Sequence, residues 1–191
     1  MSNRKLNQIK EKLIDSLKRI NFAFKNEEIY TECIKDYKGT AILGENLGPF
    51  VKGKKYKLKL FLAIPFIKNN ILKLASNEKC DNIDLQRFAI AERDENKLVR
   101  KENEFFLNKI KEFRFFMNKD VKDGNKPQQF LDNYNSYLVN VLDARLLKLL
   151  RMAKSDLNLD DQKRLTRTEL ILFKKFNKYL KMWRNYFLEM N

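Results

Sequence analysis

The sequence predicts an α+β fold, with a small N-terminal β-rich domain followed by a larger all-α helical-bundle domain. Three observations carry this expectation. Between Phe22 and Ala75 short apolar runs are punctuated by glycine. Beyond residue 82 apolar residues recur at steps of three and four. The stretch Val139 to Leu150, VNVLDARLLKLL, is apolar nearly all the way round a helix, the pattern of a helix buried between other helices. With 191 residues, 43% of them hydrophobic, the chain holds material for one good core or two small ones.

Leu6, Ile9, Leu13, Ile14, Leu17 and Ile20 share one helical face, which predicts an amphipathic helix over residues 1–20. The β-rich domain is expected over residues 21–76. Ile29, Tyr30, Thr31, Ile34 and Tyr37 read as one strand and Thr40 to Leu43 as another. Lys55 to Leu60 alternates strictly, with Tyr56, Leu58 and Leu60 on one face and Lys55, Lys57 and Lys59 on the other. Such a lysine ladder most simply blunts an edge strand against aggregation; the alternative is an anion-facing site. Phe61 to Ile67 is a short apolar stretch, Ile71 to Ala75 a closing strand, and residues 77–82 a linker of turn composition.

The helical domain is expected over residues 83–191. Asp81 or Asn82 suits the cap of a helix running through Lys101, and Phe106, Ile110, Phe113 and Met117 mark the next one. Asp123-Gly124-Asn125 breaks that run, and Pro127 suits the first turn of the central helix, which ends near Lys154. An acidic loop, Asp156 to Asp161, precedes a capping box of Thr166 and Glu169 that opens the last helix. On that helix Leu172, Phe176, Tyr179, Trp183, Tyr186 and Met190 form one face and Lys174, Lys178 and Lys181 another. The aromatic face is expected to pack in the core or against a sister subunit. The lysines are expected to point outward, either for solubility or as a landing face for DNA or an acidic partner.

Asp143 and Arg145 interrupt the central helix two positions apart, so they point roughly 200° away from each other. Their neighbours at three and four positions include no opposite charge. Both are therefore expected to be answered from another helix or subunit, Arg145 more deeply than Asp143, unless they reach solvent at the helix edge. Lys148 is expected to be the exposed one of the helix's charges.

Histidine is absent, which removes Ser-His and Cys-His nucleophile pairs, and the five glycines fall in no phosphate-binding spacing. Cys33 and Cys80 suggest neither a zinc site nor a disulfide framework. No cofactor is expected. No run approaches the roughly 18 apolar residues of a membrane span, and the first residues lack a signal-peptide apolar region, so an intracellular protein without a membrane partner is expected. The net charge of +15 favours anionic company.

Leu47-Gly48-Pro49-Phe50, then Gly53, then Leu60 to Ala63 (LFLA), resembles a stretch of those GINS subunits whose small β domain precedes the helical one. There a GPF turn leads into a short helix of LWLA type; here Phe61 takes the tryptophan position and Pro65 would kink that helix or cut it to one turn. Asp143-x-Arg145-x-x-Lys148-Leu149, followed by Leu165-Thr166-x-x-Glu169 and Phe173, is similar to the family's DxRxxKL helix and its next helix, opened by LTxxE. The resemblance covers about Ile29 to Leu180.

The resemblance implies a non-catalytic subunit of the replicative helicase assembly. It would join a sister GINS subunit of opposite domain order in a heterotetramer that bridges the MCM helicase and a RecJ-like replisome factor, with weak DNA contact. It also implies the cytoplasm and nucleoid of an archaeon, or the nucleus of a eukaryote. Asp143, Arg145, Lys148, Glu169, Phe173, Phe176 and Trp183 are then structural or interface residues, and Lys174, Lys178, Lys181, Lys55, Lys57 and Lys59 the anion-facing candidates. Two other classes compete: a basic helical nucleic-acid-binding module, which the charge favours, and a lysine- or carboxylate-dependent enzyme, which no constellation supports.

Overall fold

A computed structural model describes residues 3–42, 44–78 and 80–189. It is a mixed α and β structure dominated by helix, and it divides into two compact units, Asn21–Cys80 and Met1–Ile20 with Asp81–Asn191.

The first helix, α1 (Asn3–Lys25), continues past the expected end at Ile20 because Phe24 repeats the step of four from Ile20 and is buried. Leu13, Leu17 and Ile20 are half-buried, while the side chains of Leu6 and Ile9 lie outside the described residues.

In the smaller unit β1 (Glu28–Cys33) is followed by β2 (Thr40–Ile42), β3 (Glu45–Leu47) and β4 (Lys55–Lys59), then by α2 (Leu60–Lys68) and β5 (Leu72–Leu74). β1 is the central strand of an antiparallel sheet ordered β4-β1-β5, and β2 with β3 forms a separate hairpin. Ile29, Thr31 and Cys33 alternate into the core, with the Thr31 hydroxyl donating to the Tyr56 carbonyl at 3.0 Å. The first strand stops at Cys33, short of the expected Tyr37, which instead forms an isolated bridge with Phe50.

Phe50 is the hub of this core. Its ring meets Tyr37, Tyr56 and Phe66, the last two edge to face. The turn that delivers it depends on two glycines. Gly39 and Gly48 both have positive φ, and a Cβ on Gly48 would stand 2.7 Å from the Gly39 Cα, so only glycine fits there.

Of the two outcomes expected at Pro65, a kink or a helix cut to one turn, the second does not occur; α2 runs nine residues through it. Proline withholds one N–H from the helix, and the burial of Leu60, Leu62, Ala63, Phe66 and Ile67 offsets that loss. The expected linker is partly built in: Ser76–Glu78 forms a 3₁₀ turn, and the buried Glu78 accepts from the Tyr30 N–H at 2.5 Å.

The helical unit carries α3 (Asn82–Asp94), α4 (Phe106–Lys122), α5 (Gln128–Met152), a single turn α6 (Leu159–Gln162) and α7 (Arg167–Leu188). Asp81 caps α3 through a reciprocal box with Asp84. Pro127 sits just outside α5 as its N-cap rather than inside its first turn. Leu85, Ala89, Phe106, Ile110, Met117, Tyr134 and Val141 form one core cluster, in which the Tyr134 hydroxyl donates to the Ile110 carbonyl. Leu98, Leu149, Ala153, Leu165 and Phe173 form another.

Two expectations fail in this unit. α3 ends at Asp94 instead of Lys101, and residues 95–105 run without helix. α5 is covered on one side only: Val141, Arg145, Lys148 and Leu149 are buried, whereas Val139, Leu142, Leu146, Leu147 and Leu150 are exposed.

Candidate functional site

At the centre of the helical unit lies a buried charge cluster that draws on α3, α5, α7 and the segment after α3. Arg145 on α5 is 1% exposed, and every one of its N–H groups has an acceptor. Nε donates to Glu169 Oε1 at 2.6 Å and Nη2 to Glu169 Oε2 at 2.9 Å, a bidentate pair with α7. Nη1 donates to Glu92 Oε2 on α3 at 2.7 Å and to the Val99 carbonyl at 3.0 Å; Nη2 also donates to the Arg164 carbonyl at 3.0 Å.

Lys148, one turn further along α5, is buried and not exposed as expected. Its ammonium donates to Glu92 Oε1 at 2.8 Å, to the Lys97 carbonyl at 3.0 Å and to the Glu92 carbonyl. Arg145 and Lys148 are spaced i, i+3, so one helical face aims both at Glu92. The early end of α3 has its reason here: a non-helical backbone releases the carbonyls of Lys97 and Val99 to face these cations, where a continuing helix would have engaged them.

Glu169 closes the cluster and starts a helix at once. Its Oε2 accepts from the Thr166 N–H and the Thr166 hydroxyl, both at 2.8 Å, while its own N–H donates back to the hydroxyl at 3.4 Å. The capping box that opens α7 is thus the same carboxylate that neutralises Arg145.

Lys101 adds a third cation. Its ammonium lies 3.5 Å from Glu92 Oε2 and 4.9 Å from the ring centroids of both Phe88 and Phe106. Burial would raise the Glu92 carboxyl, but Arg145, the Lys148 hydrogen bond and Lys101 outweigh it and hold it below the ordinary value. Burial dominates at Lys101, lowering its ammonium despite the pull of Glu92. At Arg145 burial is overcome by Glu169 and Glu92, which raise it.

Three cations and two carboxylates are buried and interlocked here, and the Arg145 N–H groups are all engaged. A cleft of about 540 Å³ opens nearby, lined in part by Arg100, Lys101, Lys163, Arg164 and Thr166. Arg164 is occupied there by Asp160 and the Leu98 carbonyl. Among the described residues no group of three or more His, Cys, Asp or Glu side chains could hold a metal ion, and no helix is long and apolar enough to cross a membrane.

The remaining sequence candidates lie on surfaces. Asp143 is exposed on α5 and makes no hydrogen bond or ion pair among the described residues, so no other helix of this chain answers it, and of the expected alternatives it reaches solvent at the helix edge here. The reason is geometric: roughly 200° from Arg145, it points away from the helices that supply Glu92 and Glu169. Phe173 is buried and Phe176 half-buried on α7, but Trp183 is 65% exposed, and Met190 lies outside the described residues. The aromatic stripe therefore leaves the core after Phe176. Lys174, Lys178 and Lys181 point outward, with Lys181 reaching Asp156. Lys55, Lys57 and Lys59 are exposed along β4, and Lys57 pairs with Glu28 across the sheet at 2.8 Å.

Glu92 escaped the sequence reading, although a signal was present. It continues the Leu85, Ala89 stripe at the next step of three, a carboxylate where an apolar residue belongs. No protein-family model matches this chain, and no curated protein matches it either.

Proposed function

We propose that the chain is a non-catalytic scaffold subunit of GINS type. In this reading a small β-rich domain precedes a helical-bundle domain, and the chain joins a sister subunit of opposite domain order in a tetramer that supports the MCM replicative helicase and a RecJ-like factor. The observation that carries it is the meeting of the two motif pieces in the helical part. Arg145 and Lys148 of the DxRxxKL-like helix and Glu169 of the LTxxE-like segment belong to one buried charge cluster. The GPF-like turn supports it from the other unit, since Gly48 and Phe50 build the core there.

A scaffold also accounts for the surface. Apolar side chains of α5 and the second half of α7 lie open to solvent, as they do on a helix face that another protein covers. Co-expression with a sister subunit, followed by light scattering and a helicase-stimulation assay, tests the reading. A stable complex of tetrameric mass that raises helicase turnover is the expected result; a monomer indifferent to the sister subunit overturns it.

The second reading, a basic nucleic-acid-binding module, rests on the net charge of +15. Filter binding to DNA across a salt series separates it, because phosphate contacts make affinity fall steeply with salt.

A further inference from the structure

We propose that the exposed apolar face of the second half of α7 docks a partner protein whose own apolar groove is rimmed by carboxylates. The proposal rests on the scaffold reading for the class of occupant, a protein, and adds the surface and its chemistry.

The first half of α7 is anchored. Phe173 and Phe176 pack with Leu149, Ala153 and Leu165, and Asn177 donates to the Ala153 and Ser155 carbonyls at 3.2 and 2.9 Å. From Lys178 to Glu189 every residue is exposed. The core stripe nevertheless continues without interruption: Tyr179, Leu180, Trp183, Tyr186 and Phe187 follow Phe176 at helical steps of three and four. This i, i+3, i+4, i+7 pattern is how an amphipathic helix anchors in a groove. Beyond the Lys181–Asp156 ion pair this stretch buries no side chain of its own, and short helices without packing are marginal in water, so a covering partner stabilises the segment as well as burying its rings.

Charge decides what covers it. Lys174, Lys175, Lys178, Lys181 and Arg184 stand on this stretch against one carboxylate, Glu189. At roughly 100° per residue, Lys175 and Arg184 fall at the two borders of the apolar arc. Lys181 reaches Asp156, whereas Lys174, Lys178 and Arg184 make no ion pair among the described residues. A second copy would bring like charges together across the seam and add to the repulsion of two chains each carrying +15. An acidic rim meets the same charges favourably.

Single-stranded nucleic acid fits less well. Bases stack on aromatic faces set along a basic groove, whereas Trp183, Tyr186 and Phe187 pack on one another, with centroids 5.2 and 5.1 Å apart, and occupy part of their faces and edges there. The aliphatic Leu180 shares the arc with them, which suits knob-into-groove packing.

Trp183 is the chain's single tryptophan, so its fluorescence reports this face alone. The full chain would be titrated with a synthetic amphipathic helix whose leucine face is flanked by glutamates, with the same helix flanked by lysines, and with oligothymidylate. The glutamate-flanked helix should shift the emission to shorter wavelength, with an affinity about tenfold weaker at high salt. Phe187→Asp should abolish the shift while circular dichroism and melting stay unchanged. No shift with that helix, an equal shift with the lysine-flanked helix, tighter binding of oligothymidylate, or a shift on concentrating the chain alone would each overturn the proposal. A chain that assembles with a sister subunit but ignores the peptide overturns this proposal and leaves the scaffold reading standing. The reverse result overturns the scaffold reading alone.

Discussion

Arg145 and Glu169 stand 24 positions apart and meet through two parallel hydrogen bonds of 2.6 and 2.9 Å inside the helical unit. The contact locks α5 to the first turn of α7, because the same Glu169 carboxylate caps that turn through Thr166. Arg145→Met should therefore cost about 3–5 kcal/mol, the usual penalty for stranding one side of a buried pair. Glu169→Gln should cost less, since the amide keeps one acceptor and its packing. Thermal melts of the two variants test the order, and equal losses would count against the bidentate pair.

Lys148 and Lys174 separate a structural lysine from a solvated one. Lys148→Met strands the Glu92 carboxylate side and two carbonyls, and should lower stability by about 2–3 kcal/mol. Lys174→Met, on the exposed face of α7, should stay within about 0.5 kcal/mol of the parent. Chemical denaturation of both variants in one buffer gives the comparison.

Glu92 and Lys101 are both expected to raise stability with pH, in two separate windows. The Glu92 carboxyl is lowered in the folded chain, so its contribution is complete above the ordinary carboxylate value and is lost as pH falls through the lower folded value. The Lys101 ammonium is also lowered. The unfolded chain then holds the proton that the folded chain has released, so stability from this group rises as pH climbs from the folded value towards the ordinary lysine value. Lys101→Met should remain within about 1 kcal/mol of the parent at neutral pH, where a relieved buried charge offsets the lost contact with Phe88 and Phe106. The variant should also flatten the alkaline part of the stability curve. Denaturation midpoints followed up to the ordinary lysine value measure it.

Gly48→Ala tests the turn that delivers Phe50. The position has φ +101°, and the added methyl would meet the Gly39 Cα at 2.7 Å. Strain and overlap together should cost about 2–4 kcal/mol. Hydrogen exchange at the Tyr37 and Phe50 amides, which bond each other's carbonyls, should accelerate in the variant.

Some of this structure was legible in the sequence for definite reasons. Lys55 to Lys59 alternates at period two, and Phe106 to Met117 repeats at steps of three and four, so the faces of β4 and α4 could be read directly. Arg145 declared itself because its own helix held no counter-charge. Lys148 did not, since a lysine at a helix edge is exposed more often than not, and its acceptors are partly carbonyls that exist only because α3 stops at Asp94. The all-round apolar character of α5 predicts burial within the chain, yet Leu142, Leu146, Leu147 and Leu150 are exposed. Composition records that a surface avoids water, but not whether the same chain or another one covers it.

That distinction makes the exposed side of α5 the sharpest test of assembly. Leu142, Leu146 and Leu150 follow one another at steps of four, between 37% and 42% exposed, whereas Leu149 on the same helix is 2% exposed. Leu149→Ala removes a side chain packed with Ala153, Leu165 and Phe173 and should cost about 2–5 kcal/mol through the cavity it leaves. Leu146→Glu places a charge where water already reaches, so it should lower stability by no more than about 1 kcal/mol. Its effect should fall on association instead, because a carboxylate buried without a partner in an apolar interface is strongly unfavourable. Light scattering with the proposed sister subunit should show assembly retained by Leu149→Ala below its melting temperature and lost by Leu146→Glu. If Leu146→Glu melts as low as Leu149→Ala, this side of α5 belongs to the fold and not to an interface. If it assembles normally, the partner sits elsewhere on the helical unit.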